Sequence, residues 1–320
     1  MAGNKNLHKA NKAKKDEFYT MISDIEKEMH YYKEQFRDKV VFCNCDDPEY
    51  SNFWKYFELN FYYLGLKKLI ATHYEEDIPS YKLELSRKEN CESNNIHLDV
   101  IKTTLTQNGD FRSPECIELF KEADIIVTNP PFSLFREYLA QLMEYDKKFV
   151  IIGNVNAITY KETFNIIKES KIWLGASIHS GDREFQVPDD YLLEAAGFRV
   201  DEHGHKYIRV KGVRWYTNLD YSSRHEDLIL YKTYNEIDYP KYDNYDAINI
   251  DKTKEIPCDY DGVMGVPITF MDKYSPEQFE ILGITDRQNT SSLRTKKYTI
   301  TDNPKFNDLN ARSVLKIEGK

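Results

Sequence analysis

Four short, unbroken apolar runs recur in the first half of the chain, at Lys39–Cys45, Leu66–Thr72, Asp124–Thr128 and Phe149–Ile152. Around them lie stretches whose apolar residues repeat at helical spacing: Met21–Arg37, with Ile22, Ile25, Met29, Tyr32 and Phe36, then Ser51–Leu59, Pro114–Ala123 and Ser133–Met143. A run of this length that does not alternate with polar residues is what a strand needs when both its faces are covered. Interleaved with amphipathic helices, such runs predict a parallel sheet sandwiched by helices, an α/β domain reaching to about residue 230. Polar residues cluster where the runs end: Asp46-Asp47-Pro48, His73-Tyr-Glu-Glu-Asp77, Asn129-Pro-Pro-Phe132 and Gly153-Asn154. Open α/β sheets bind ligands outside the carboxyl ends of their strands, so this edge is expected to hold a site.

The character changes further along. Lys171–Gly175, Tyr207–Val210 and Val213–Tyr216 read as strands, with 181–206 between them as an insertion. Beyond about residue 231 the chain is rich in Tyr, Asp and Asn, and Gly262, Gly265 and Pro267 interrupt any long element, so no fold is assigned there. A length of 320 residues fits about two domains. No apolar stretch approaches the roughly 20 residues of a membrane span, and the N-terminus lacks a secretory signal, so a cytoplasmic protein is expected. Five cysteines without paired CxxC spacing indicate neither a disulfide framework nor structural zinc. His203 and His205 have no carboxylate or cysteine at ligand spacing, and no metal is expected.

Charge is uneven on a body of net charge −9. Residues 1–15 hold five lysines, Lys14 and Lys15 among them, and no acid; residues 287–320 hold eight Lys or Arg against three acids. These ends are either solvated tails or basic arms that reach phosphates, which requires a local basic surface rather than a high overall pI. Aromatic residues make up 14% of the chain; they fill cores, and they also supply faces on which a nucleobase stacks.

The sharpest chemical signal is Asn129-Pro130-Pro131-Phe132 at the end of a strand and before a helix. Two prolines fix φ and exclude helical conformation from the residue before each, so the turn is rigid and extended. The Asn129 amide oxygen and the Pro130 carbonyl can then face one cleft and accept the two hydrogens of an exocyclic amine, with Phe132 stacked on its ring. The alternative is a plain Pro-Pro turn capped by an aromatic.

With Lys15-Asp-Glu-Phe-Tyr-Thr20, Cys45-Asp-Asp-Pro48, Ser51-Asn-Phe53, Gly109-Asp-Phe-Arg-Ser-Pro114, Asn129–Phe135 and Trp173-Leu-Gly175, the chain resembles the EcoRI modification methylase family of adenine-specific DNA methyltransferases. The resemblance runs from about residue 14 to about 285. It implies a Rossmann-like S-adenosylmethionine-dependent methyltransferase sheet over 16–230, preceded by a basic arm (1–15) and followed by a C-terminal DNA-recognition region over 231–320. The implied reaction is methyl transfer from S-adenosylmethionine to N6 of a flipped-out adenine in duplex DNA, within restriction-modification or as an orphan methylase. Asn129, Pro130, Pro131 and Phe132 would be catalytic.

The same resemblance places Phe18, Tyr19 and Thr20 at the methionine end of the cofactor, and Asp110 and Phe111 at its adenine, with Asp110 accepting from the adenine amino group. Asp46 and Asp47 stand where related enzymes have a glycine-rich turn; they are assigned to the cofactor by position, or to capping the next helix. Glu75, or Glu76, would meet the ribose hydroxyls, by analogy with dinucleotide sites. The motif order is similar to the gamma class, which makes the C-terminal region the reader of DNA sequence through Arg287, Arg294, Lys296 and Lys297. Phe185 stands where a second aromatic meets the flipped base, and Trp173 is expected in the core. Double-stranded DNA is the implied partner, GAATTC the first candidate target, and a cognate restriction endonuclease acting on the same site a possible companion. Transfer to RNA or to protein glutamine stays open, as does a non-catalytic DNA-binding scaffold, which the missing glycine-rich turn would allow.

Overall fold

The computed structural model describes residues 18–45, 47–76, 79–87, 99–179, 181–188, 197–243, 245–284 and 314–320. Its contacts divide the chain into two units, Ala2–Val155 with Ser180–Asp220, and Asn156–His179 with Tyr221–Lys320.

The first unit opens with a two-residue strand β1 (Tyr19–Thr20), then helix α1 (Ile22–Met29), which continues as a 3-10 segment, His30–Phe36. Of the five residues at helical spacing, Ile25, Met29, Tyr32 and Phe36 are buried, while Ile22, in the first turn, is exposed; Glu28, also buried, accepts from the Tyr32 hydroxyl at 2.7 Å. Strand β2 (Val40–Cys43) is buried throughout. Ser51 caps helix α2 (Asn52–Leu59) by accepting from the Phe53 amide. Strand β3 (Lys68–Thr72) leads into a hairpin partner β4 (Tyr81–Ser86) and edge strand β5 (Val100–Thr104). Helix α3 (Pro114–Glu122) is capped by Ser113 and has proline in its first turn, where a missing N–H costs nothing. Strand β6 (Ile125–Thr128), helix α4 (Phe135–Glu144) and strand β7 (Lys148–Asn154) follow.

The second unit takes over with helix α5 (Lys161–Lys168) and the short strand β8 (Trp173–Leu174). Strands β9 (Asp182–Val187), β10 (Arg199–Val200), β11 (Lys206–Lys211) and β12 (Val213–Thr217) return to the first unit. Its central sheet runs β5-β4-β3-β2-β6-β7-β12. The four apolar runs are the parallel core β3-β2-β6-β7; β4, β5 and β12 attach antiparallel. The sheet is therefore mixed rather than all-parallel. Strand β4 alternates and strand β5 is exposed along its length, so neither carries a buried-strand signature. From β2 the chain moves to β3 on one side and later returns to β6 on the other, which opens a crevice between the carboxyl ends of β2 and β6. The stretch read as an insertion supplies β9 and β10 to a second sheet, β1-β9-β11-β10, in which Thr20 pairs with Phe185 and Phe185 with Ile208.

In the second unit, strands β13 (Lys241–Tyr242), β14 (Tyr245–Asn249), β15 (Met264–Pro267), β16 (Phe279–Ile284) and β17 (Val314–Gly319) form a sheet in the order β13-β14-β15-β17-β16. Ile248, Val266, Phe279, Ile281, Leu315 and Ile317 are among the buried residues of its strands, and buried Phe270, from the 3-10 segment Ile268–Lys273, lies 5.3 Å from Phe279. Trp173, expected in the core, is half-buried under the Arg224 guanidinium, 3.9 Å from its ring centre. Among the described residues no helix is long and apolar enough to cross a membrane.

Candidate active site

Asn129 and Pro130 are buried at the end of β6, while Pro131 and Phe132 are half-buried. The Asn129 Nδ2 donates to the Phe18 carbonyl at 2.5 Å. That bond settles the orientation of the amide, because a carbonyl faces only its N–H side. Its Oδ1 is thereby turned the other way, where it is buried with no hydrogen-bond partner among the described residues. Buried acceptors are normally satisfied, so an orphan held in place by its own amide marks a place for a donor that none of the described residues supplies.

Three phenylalanines from separate segments meet beside it. Phe132 lies 5.7 Å from Phe18 edge-on and 6.5 Å from Phe185, and Phe18 lies 5.9 Å from Phe185. Phe18 and Phe185 are fully buried, so Phe132 is the member of the trio with an open face. Phe185 thus packs behind Phe132 rather than standing at a surface. Thr20, paired directly with Phe185, is buried as well, and its Oγ1 has no partner among the described residues; its carbonyl accepts from Asn52 Nδ2 at 2.7 Å. Tyr19 is buried and lies 6.2 Å from Tyr50.

At the end of β2, Asn44 is buried and central. Its carbonyl accepts from the Thr128 hydroxyl and its Oδ1 from the Tyr138 hydroxyl, tying β2 to β6 and α4; its Nδ2 has no partner among the described residues. Burial pushes the Tyr138 phenol well up, so it stays protonated as the donor. The next residue, Cys45, has φ of 70°. A left-handed backbone, the conformation that glycine adopts most easily, is taken here by a cysteine, at a cost of roughly 1–2 kcal/mol.

Asp47 is half-buried and already engaged. Its Oδ1 accepts from the Glu49 amide and the Tyr81 hydroxyl, both at 3.0 Å, and its Oδ2 lies 3.7 Å from His73 Nε2. It forms a local turn of the Asx kind, and Ser51, not Asp47, caps α2. Burial, then the Asp47 carboxylate, raise the Tyr81 phenol far above its ordinary range, which keeps it a donor. The Tyr81 ring stacks on His73 at 5.0 Å, and Ser80 Oγ donates to the His73 carbonyl at 2.7 Å.

Glu75 and Glu76 are exposed after β3, and the Glu75 amide donates to the Asn108 carbonyl at 2.9 Å. This brings the Gly109-Asp110-Phe111 loop against the end of β3. Gly109 has φ of +79°, and a Cβ there would sit 1.8 Å from the His73 carbonyl oxygen, so only glycine fits. Asp110 is held by Arg112: Nε reaches Oδ1 at 2.8 Å and a terminal nitrogen reaches Oδ2 at 2.6 Å. The hydrogen bond from that guanidinium holds the Asp110 carboxyl below its usual range. Phe111 is buried, 5.1 Å from the Tyr138 ring, and its carbonyl accepts from Gln141 Nε2 at 3.2 Å.

The structure therefore gathers Phe18, Thr20, Asn129, Phe132 and Phe185 at one end of the edge, and Asp110 and Phe111 with Tyr138 and Gln141 at another, bridged by Asn44. Asn44, Tyr138 and Gln141 carry no motif and were not candidates from sequence, and Arg112, though inside the Gly109–Pro114 block, was not singled out; Asn44, lying inside Cys43-Asn-Cys45 at a strand end, had position alone as a signal. Asp46, Lys14, Lys15, Arg287, Arg294, Lys296 and Lys297 lie outside the described residues. Among the described residues, His, Cys, Asp and Glu form no group of three that could hold a metal ion.

Comparison with known proteins gives a consistent picture. The model of the family described as adenine-specific methyltransferase EcoRI matches residues 6–319. Type II methyltransferase M.EcoRI of Escherichia coli is 56% identical over 291 residues, 88% of this chain and 89% of that protein. Type II methyltransferase M.MpnI of Mycoplasma pneumoniae is 40% identical over 86% of this chain and 84% of its own length. Type II methyltransferase M.MgeORF184P of Mycoplasma genitalium is 37% identical over 98% of this chain and 95% of its own.

Proposed function

The chain belongs to the EcoRI adenine-specific methyltransferase family, and from that premise we propose that the β2/β6 edge transfers a methyl group to N6 of an adenine flipped out of duplex DNA. The observation that carries the reading is the Asn129 Oδ1, buried, fixed in direction and without a partner among the described residues.

In this reading Asn129 Oδ1 and the Pro130 carbonyl accept the two amino hydrogens of the target base. Drawing on both hydrogens turns the nitrogen towards tetrahedral geometry and frees its lone pair. Phe132 stacks on the base with its open face, while Phe18 and Phe185 hold the ring from behind. Extruding a base costs roughly a few kcal/mol, which stacking on Phe132 offsets in part. The chain supplies no nucleophile of its own, so its contribution is alignment and polarisation.

The cofactor of this reading is S-adenosylmethionine, which supplies an electrophilic methyl group when bound. The residues fit it: Thr20 Oγ1 and Asn44 Nδ2 are buried polar atoms without partners among the described residues, at the edge where the chain turns at left-handed Cys45. Phe18, Tyr19 and Thr20 would serve its methionine end, Asp46 and Asp47 the turn, Glu75 the ribose, and Asp110 with Phe111 the wall at its adenine. Residues 16–230 carry this chemistry, and 231–320 would read the DNA sequence, helped by the basic segments around Lys14 and Lys15 and around Arg287, Arg294, Lys296 and Lys297. A restriction endonuclease acting on the same site would be its natural companion, with GAATTC the first sequence to test.

The test is Asn129→Ala. Methylation of DNA should be almost lost while S-adenosylmethionine still binds in calorimetry; an unchanged rate would remove Asn129 from the chemistry.

A further inference from the structure

One face of the sheet β1-β9-β11-β10 changes character along β9. Arg183, Phe185 and Val187 alternate onto that face, and across the ladder they pair with Val210, Ile208 and Lys206. Phe185, Val187, Ile208 and Val210 are buried, and the face meets the site through Phe185, which lies against Phe132 and Phe18. Arg183 stands two residues before Phe185, about 7 Å along the strand, and its side chain is 26% exposed. The face therefore opens to solvent close to Phe132.

Little holds the guanidinium in place. Its Nη1 donates to the Asp182 carbonyl at 3.0 Å, a bond within its own strand. Its Nε is buried and makes no hydrogen bond among the described residues; Asp24 Oδ2, in the first turn of α1, stands 4.0 Å away, beyond hydrogen-bonding distance. A structural arginine is commonly tied to a carboxylate by two parallel bonds, as Arg199 is to Glu184 on the opposite face at 2.8 and 2.6 Å. The Arg183 fork is not engaged in this way. An extruded nucleotide stays joined to its strand by a phosphate on either side, so a base seated on Phe132 brings phosphate oxygens to the rim of its pocket. A guanidinium matches such a group bidentately.

We propose that Arg183 binds a backbone phosphate flanking the extruded adenine, as the positioning residue that holds the nucleotide while its base lies on Phe132. The proposal rests on the reading of the Asn129 edge as the site of DNA adenine methylation. Asp24 keeps the side chain over the opening in the free protein and yields it to the phosphate when DNA binds.

The test is the salt dependence of binding to a duplex carrying the site that the wild-type chain methylates. Arg183→Gln should reduce the slope of log affinity against log salt by about one, the share of one phosphate contact, and weaken binding at low salt by about tenfold. Arg183→Lys should recover the slope and part of the affinity. A second measurement alters the DNA and leaves the protein intact: the phosphates beside the target adenine are replaced one at a time by neutral methylphosphonate. At one of them the wild-type chain should show the same loss, and Arg183→Gln should show none. Asp24→Asn should keep both slope and affinity. An unchanged slope in Arg183→Gln, or equal methylphosphonate losses in variant and wild type at every position, would overturn the proposal. So would an Asp24→Asn variant that reproduces the loss, which would make Arg183 a strut for α1. A wild-type chain that neither binds nor methylates duplex DNA would instead overturn the reading of the edge itself.

Discussion

The two faces of the sheet β1-β9-β11-β10 are built from the same strands and solve opposite problems. Residues directly paired across an antiparallel ladder share a face, so Thr20, Phe185 and Ile208 lie on one side and Glu184, Tyr207 and Arg199 on the other. On the outer side polar groups answer one another. Arg199 grips Glu184 with two bonds of 2.8 and 2.6 Å and covers the Tyr207 ring at 4.0 Å, and the Tyr207 hydroxyl donates to Asp201 at 3.0 Å. On the inner side Thr20 Oγ1 and, beyond Phe18, Asn129 Oδ1 are buried and unanswered by any described residue. An unanswered buried group costs about 1–3 kcal/mol, and that is a cost a bound ligand can relieve. A satisfied surface has nothing left to offer one. The contrast locates the site more sharply than conformation alone, since both faces are equally regular.

The contrast can be broken or sharpened by substitution. Asn129→Ala, on the inner side, should lower kcat for DNA methylation by at least about 10²–10³, the scale of removing one aligned hydrogen-bonding group from a transition state, with S-adenosylmethionine affinity unchanged. Gly109→Ala should destabilise the fold by about 2–4 kcal/mol, because it adds a Cβ onto the His73 carbonyl at a left-handed φ; thermal unfolding would show this as a lowered Tm. Phe132→Ala removes a stacking face worth about 1–3 kcal/mol, so kcat/KM for duplex DNA should fall about tenfold to a hundredfold. The loss should shrink when the target adenine is mispaired and easier to extrude. If duplex and mispaired substrates suffer equally, Phe132 does not stabilise the extruded base.

The smallest effect belongs to the outer face. The Arg199 hydrogen bond holds the Glu184 carboxyl below its usual range. The stability from that pair is present above the unfolded carboxylate pKa and disappears as pH falls through the lowered folded value. Glu184→Gln should therefore flatten a small part of the acid limb of unfolding and leave methylation at neutral pH as it was. A large loss of activity in this variant would erase the distinction between the faces.

What was legible in the sequence follows the same physics. Strands β2, β3, β6 and β7 announced themselves because both their faces are covered, which forces unbroken apolar runs. Strand β4 alternates and β5 is exposed, and the two-residue β1 is too short to have a pattern, so pairing alone creates them. Asn129 was legible because two prolines leave so few conformations after a strand. Gln141, Tyr138 and Asn44 were not, because their chemistry arises only where three elements meet. The absence of a glycine-rich turn counted against a cofactor site from sequence, yet Cys45 takes up a left-handed backbone without one. Local composition narrows a backbone conformation, and tertiary contacts decide it.

The central claim is that the Asn129 edge methylates adenine in DNA. It is tested most directly by incubating wild-type and Asn129→Ala protein with unmethylated plasmid and S-adenosylmethionine, then measuring N6-methyldeoxyadenosine by mass spectrometry of the digested DNA. The account predicts the modified nucleoside with the wild-type chain and almost none with the variant. Equal yields from both, or a methyl group found on RNA or protein instead, would contradict it.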